Sequence, residues 1–107
     1  MESSVHERID AMIKQHPVVV FMKGNPDAPQ CGFSARVAMI LQDHGKPFAT
    51  FDVLSDPSIR QGIKEYASWP TIPQVYVDGE FLGGSDIVSE MYANGELQTK
   101  IDEAHAN

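Results

Sequence analysis

Val18-Val19-Val20-Phe21-Met22, then the loop Asn25-Pro26-Asp27-Ala28-Pro29-Gln30, then Cys31-Gly32-Phe33-Ser34: on this stretch the fold turns. Five consecutive apolar residues are the pattern of a strand covered on both faces. From Cys31 onward the period changes, and Phe33, Val37, Ile40 and Leu41 fall on one helical face. A strand-loop-helix junction therefore carries the only cysteine, in the first turn of the helix. Unpaired amides and the helix dipole there favour a thiolate, drawing a free-thiol pKa of about 8.5 toward neutrality or below. Lys23, at the end of the strand, adds a positive charge nearby. Ser34 stands where a second thiol would complete a Cys-x-x-Cys pair. One thiol cannot close its own disulfide. Cys31 acts through a partner sulfur or a metal, or it is an inert core residue, the default for a free cysteine.

Outward from this junction, strands and helices alternate. Ser4-Val5-His6-Glu7 fits a capping box, ahead of a helical stripe of Val5, Ile9, Met12 and Ile13 that stops at Pro17. Gly45-Lys46-Pro47 ends the Cys31 helix, and Phe48 to Val53 reads as a second strand. A helix intervenes between these strands, so they pair in parallel through a right-handed crossover. Asp56-Pro57 supplies an N-cap and a proline at the first helical position, with Ile59, Ile63 and Tyr66 inward. Gln74-Val75-Tyr76-Val77 and Glu80-Phe81-Leu82, joined by Asp78-Gly79, predict a two-residue hairpin. Proline is barred from central ladder positions, so Pro73 should start the first of these strands. Gly83-Gly84-Ser85-Asp86 leads into a helix bearing Ile87, Val88, Met91 and Tyr92, with Ser85 as its N-cap. Asn94-Gly95 interrupts it, and Leu97 with Ile101 marks a short terminal helix. Met12, Met22, Met39 and Met91 lie on apolar stripes and read as core. The order of elements implies an α/β fold, a small mixed sheet packed between helices.

Composition narrows the function. A chain of 107 residues reads as one domain, residues 1–107. A single cysteine excludes an internal disulfide framework and suits a reducing compartment. A net charge of -7 argues against a nucleic-acid surface, which needs clustered Lys and Arg. Met1-Glu2-Ser3-Ser4 carries no basic or apolar signal region, and no apolar run approaches a membrane span. A cytoplasmic protein is the expectation. The histidines His6, His16, His44 and His105 show no metal-ligand spacing and read as surface residues.

Four landmarks in order, Phe21-Met22-Lys23-Gly24, Cys31-Gly32-Phe33-Ser34, Trp69-Pro70-Thr71-Ile72-Pro73-Gln74 and Gly83-Gly84-Ser85-Asp86-Ile87, carry a resemblance. The chain resembles the monothiol glutaredoxins of the Cys-Gly-Phe-Ser class over nearly its whole length. The resemblance implies a thioredoxin-like fold, a four-stranded mixed sheet sandwiched between helices. It also implies a cis Ile72-Pro73 bond beside Cys31. On the residues alone a trans proline that merely begins a strand is favoured, because only about 5–6% of X-Pro bonds in folded proteins are cis.

The same resemblance implies a glutathione site. Lys23 and Arg60 meet the glycine carboxylate, and Thr71, Ile72 and Pro73 meet the extended tripeptide. Gly84, Ser85 and Asp86 hold the γ-glutamyl end. The chemistry is consistent: a helix N-terminus suits a carboxylate and an acidic side chain an ammonium. Alone, Lys23 and Arg60 read as solvated charges, Ser85 and Asp86 as an ordinary helix start, and Trp69 as either a stacking or a packing residue. Gly24 and Gly83-Gly84 are places where backbone approaches closely. Many family members have a second cysteine where Ser85 stands, so this chain works with Cys31 alone.

Two functions follow. A 2Fe-2S cluster takes four thiolate ligands; two chains giving Cys31 and two glutathiones complete the set, which makes the protein a cluster-binding homodimer. The resemblance adds transfer to acceptor apoproteins and a mixed complex with BolA-type proteins. The alternative is a glutathione-dependent thiol oxidoreductase, which needs only one thiol. Against its efficiency stand a loop before Cys31 longer than in dithiol relatives and the generally poor activity of this class.

Overall fold

In the computed structural model, which describes residues 2–106, β1 (Val18–Met22) is an interior strand of a four-stranded sheet. β4 (Ala49–Asp52) lies on one side of it in parallel register, Phe21 opposite Phe51 and Met22 opposite Asp52. β5 (Gln74–Val77) lies on the other side, antiparallel, and β6 (Glu80–Gly83) closes that edge. The sheet is mixed, as the alternation of elements implied, and its thioredoxin-like sandwich matches the expectation.

Each residue of β1 is buried, and alternate ones feed opposite cores. Val18, Val20 and Met22 join Val75 and Val77 beneath α2 (Gly32–His44), α4 (Ser85–Asn94) and α5 (Glu96–Ala106), which contribute Val37, Leu41, Val88, Leu97 and Ile101. Val19 and Phe21 join Tyr76 and Ile72 beneath α1 (Glu2–Gln15) and α3 (Pro57–Ala67), which contribute Ile9, Ile13, Ile59 and Ile63. A continuous apolar run is what a strand with helices on both faces requires.

Local chemistry accounts for the boundaries. Asp56 accepts from the N–H groups of Ser58 and Ile59 at 3.0 and 3.3 Å, with Pro57 opening α3. Asp78 and Gly79 both have positive φ, 52° and 79°, the geometry of a type I′ hairpin whose twist matches its strands. His44 Nε2 lies 2.9 Å from Asp102 and His105 Nε2 2.9 Å from the Pro47 carbonyl, so two of the expected surface histidines tie α5 to the end of α2 and the segment after it. Among the described residues no helix is long and apolar enough to cross a membrane.

Several expectations change. α1 begins at Glu2, so Ser4 lies inside it rather than capping it. Ser85 is the first residue of α4, and Gly84 occupies the cap without a side-chain hydrogen bond. Pro73 immediately precedes β5 instead of starting it. The loop after β1 folds into a short hairpin, β2 (Gly24–Asn25) and β3 (Ala28–Pro29). Phe33 and Met39, expected inward, are 63% and 66% exposed: beside Phe33 the sheet-facing positions are taken by the smaller Ser34 and Ala38, and Met39, two residues from both Val37 and Leu41, lies on the opposite side of α2.

Candidate functional site

Cys31 is the N-cap of α2, one residue before the first turn, with extended backbone. Its Sγ accepts the Ser34 N–H at 3.4 Å. As a thiol it donates to the Ser34 hydroxyl at 3.6 Å, and that buried oxygen accepts the Lys23 N–H at 3.0 Å. On ionisation the first contact reverses: the hydroxyl turns its proton to the sulfur and keeps the Lys23 N–H behind it. Burial pushes the Cys31 thiol up. The Ser34 amide, the Ser34 hydroxyl, the Phe33 amide and the charge of Lys23 together outweigh it and hold the thiol below its ordinary value. The residue that replaces a second cysteine is therefore the one that stabilises the first as thiolate.

The segment carrying Lys23 is held on every side. Gln30 N–H donates to the Lys23 carbonyl at 2.9 Å. Gly24 N–H donates to Asp52 Oδ1 at 2.9 Å, and the same oxygen accepts the Leu54 N–H at 2.9 Å. Asp52 ends β4 in register with Met22, so the parallel pair of strands sets where Lys23 emerges. Sequence reading passed over Asp52, whose short side chain at a strand end is the usual signal of such a clasp.

A groove of about 430 Å³ opens beside this junction. Trp69 to Pro73 form one wall, with Ile72-Pro73 cis, and Gly84 to Ile87 form the other. Lys23, Phe33 and Lys64 complete it. Cys31 is not among the lining residues and joins the groove through Lys23 and Phe33, both of which are. Seven residues marked in the sequence, Lys23, Thr71, Ile72, Pro73, Gly84, Ser85 and Asp86, are brought together. Arg60 is not among them: it is exposed on α3, and Lys64 one turn later lines the groove instead. The i, i+4 spacing of these two cations puts them on one flank of α3, the signal by which Lys64 is legible.

The groove is chemically polarised. Lys23 and Lys64 supply cations, Asp86 supplies an anion in the first turn of α4, and Trp69, Phe33 and Ile87 form an apolar rim. Ser85 is buried and its Oγ has no hydrogen-bond partner among the described residues. An orphaned buried hydroxyl beside unpaired helix N-terminal amides is a donor set waiting for an anionic oxygen. Gly84 approaches the opposite wall closely, since a Cβ there would stand 3.1 Å from the Pro73 carbonyl.

The family model described as Glutaredoxin matches residues 18–82. A monothiol glutaredoxin of Synechocystis, called ycf64-like and uncharacterized, is 57% identical over the full length of both chains. A chloroplastic monothiol glutaredoxin of rice is 53% identical over 90% of this chain, which spans 57% of that longer protein. The solution structure of reduced poplar apo GrxS14 superposes with a TM-score of 0.82 at 48% identity, covering 94% of this chain and 93% of that one.

Proposed function

The chain belongs to the glutaredoxin family, in its monothiol class, and from that premise we propose that it binds a 2Fe-2S cluster as cargo between two copies and passes it to acceptor apoproteins. Glutaredoxins work with glutathione. One observation carries the reading: a single thiol favoured as thiolate stands at the edge of a groove cationic on one side and acidic on another. Each copy supplies one sulfur ligand, Cys31, so a four-thiolate set needs a second copy and two small thiols.

The residues present fit glutathione in that role. Lys23 and Lys64 would take its glycine carboxylate. Asp86 would pair with its ammonium, and Ser85 Oγ with the α4 amides would take the γ-glutamyl carboxylate. The main chain of Thr71 and Ile72 would align its extended backbone. On this reading the protein acts in a reducing, cytoplasmic compartment and also pairs with BolA-type proteins.

The test is anaerobic reconstitution with iron and sulfide, with and without glutathione, followed by visible absorption and sizing. A coloured dimer that requires both glutathione and Cys31 is expected. A colour retained by Cys31→Ser, or by a lone subunit without any small thiol, refutes it.

The lowered thiol also favours a second reading. The Cys31 thiolate attacks the glutathionyl sulfur of a mixed disulfide, and the target's thiolate leaves. A second glutathione thiolate then takes the glutathionyl group from Cys31, yielding oxidised glutathione and restoring the thiolate. Brisk turnover of a glutathionylated peptide by a colourless monomer would favour this over cluster carriage.

A further inference from the structure

Gln74 is the one long polar side chain of β5, among Val75, Tyr76 and Val77, and it is fully buried. A primary amide taken from water is costly unless its hydrogen bonds are remade. Here they are remade in one direction. Nε2 donates to the carbonyl of Trp69 at 3.2 Å and to that of Thr71 at 3.3 Å. The Tyr76 hydroxyl donates to Oε1 at 2.9 Å, which fixes which end of the amide faces the loop. Tyr76 is itself immobilised, its ring packed against Phe21, Tyr66 and Phe81 at centroid distances of 5.8, 6.2 and 5.4 Å. Both carbonyls belong to residues that line the groove, yet Gln74 does not line it.

The consequence follows from peptide planarity. In a trans peptide the C=O of one residue and the N–H of the next point in opposite directions. Drawing the Thr71 carbonyl toward Gln74 turns the Ile72 N–H away from it. That N–H donates to no protein acceptor among the described residues. Releasing the carbonyl lets the Thr71-Ile72 peptide plane rotate and the donor with it.

We propose that Gln74 is a positioning residue for the groove: its amide pins the Trp69 and Thr71 carbonyls and so aims the Ile72 N–H at the backbone of a peptide-like ligand. The inference rests on the reading of the groove as a glutathione site. It adds a residue that sets affinity without touching the ligand.

Reduced glutathione is titrated against wild type, Gln74→Met, Tyr76→Phe and Asp86→Ala, using amide chemical shifts and the emission of Trp69, the sole tryptophan. Methionine keeps the length of the side chain and removes its donors. Gln74→Met is expected to weaken binding about tenfold, with faster hydrogen exchange confined to residues 69–72 and core strands protected as in wild type. Tyr76→Phe, which only frees the amide to reorient, is expected to weaken it about threefold and decides the matter if Gln74→Met does not fold. Wild-type affinity in a folded Gln74→Met, or in Tyr76→Phe where that variant decides, overturns the proposal; loss of binding in Asp86→Ala alone then leaves the groove reading standing. Absence of glutathione binding by the wild type overturns both.

Discussion

Gly83→Ala probes how the end of β6 sets the start of α4. Gly83 has φ of +145°, and an added Cβ would lie 2.8 Å from Ile87 Cβ and 3.0 and 3.1 Å from its Cγ1 and Cγ2. The backbone conformation costs a side-chain-bearing residue about 1–3 kcal/mol, and the crowding about 1–3 kcal/mol more. A combined loss of about 4 kcal/mol stands against a total of about 5–15 kcal/mol for a domain of this size, so the variant folds but is markedly weaker. With a urea slope of about 2 kcal/mol per molar, the unfolding midpoint should fall by about 2 M. The relief available is a tilt of the first turn of α4, since Ile87 is partly exposed there. That turn carries Ser85 and Asp86, so glutathione affinity should fall further than Asp86→Ala alone lowers it. Adding Ile87→Ala removes both Cγ atoms and leaves the closest one, Cβ, so less than half of the lost stability should return. An unchanged urea midpoint in Gly83→Ala, or full recovery in the double variant, refutes the reasoning.

Ser34→Ala removes the hydroxyl and keeps the amide, so the Cys31 thiol should titrate at higher pH than in wild type; thiolate absorbance at 240 nm checks it, and an unmoved titration removes the hydroxyl from the site. Lys64→Ala should weaken glutathione binding about threefold or more, at the scale of one exposed ion pair, while Arg60→Ala should leave it nearly unchanged; equal losses measured by calorimetry would contradict the placement of these two cations. The Ile59 amide, with help from Arg8 and the Ser58 amide, holds the Asp56 carboxyl below the usual range. Its folded pKa is depressed, so its contribution is complete above the unfolded carboxylate value and is lost as pH falls through the folded one. Asp56→Asn, which keeps an acceptor oxygen for the cap and removes the charge, should therefore flatten the acid limb of stability against pH in urea titrations, and an identical limb would refute the contribution of the carboxylate.

Much of the fold was legible because its signals are local. The apolar run of β1, the Asp56-Pro57 start of α3 and the Asp78-Gly79 turn each dictate their element with side chains a few residues apart. Errors fell where a helix face depends on what packs against it. Phe33 shares the period of Val37 and Leu41, but the sheet seats Ser34 and Ala38, and periodicity does not rank neighbouring faces; Met39, two residues from both Val37 and Leu41, lies on the far side of the helix. Ser85 looks like a cap, but Gly84 takes the cap position, and the buried Ser85 hydroxyl has no partner among the described residues.

The sequence by itself determined the order of elements, the single thiol and the identity of most groove residues, because each is written in composition, period or a short motif. Only the tertiary structure decided how they cooperate. It put Lys64 rather than Arg60 on the wall of the groove and set Ser34 between the Cys31 sulfur and the Lys23 amide. It also turned Gln74 toward two carbonyls of a loop that it follows in the chain. Those relations depend on which side chains meet across β1, β4 and β5, and hydrogen-bond geometry between elements leaves no trace in the spacing of residues along one of them.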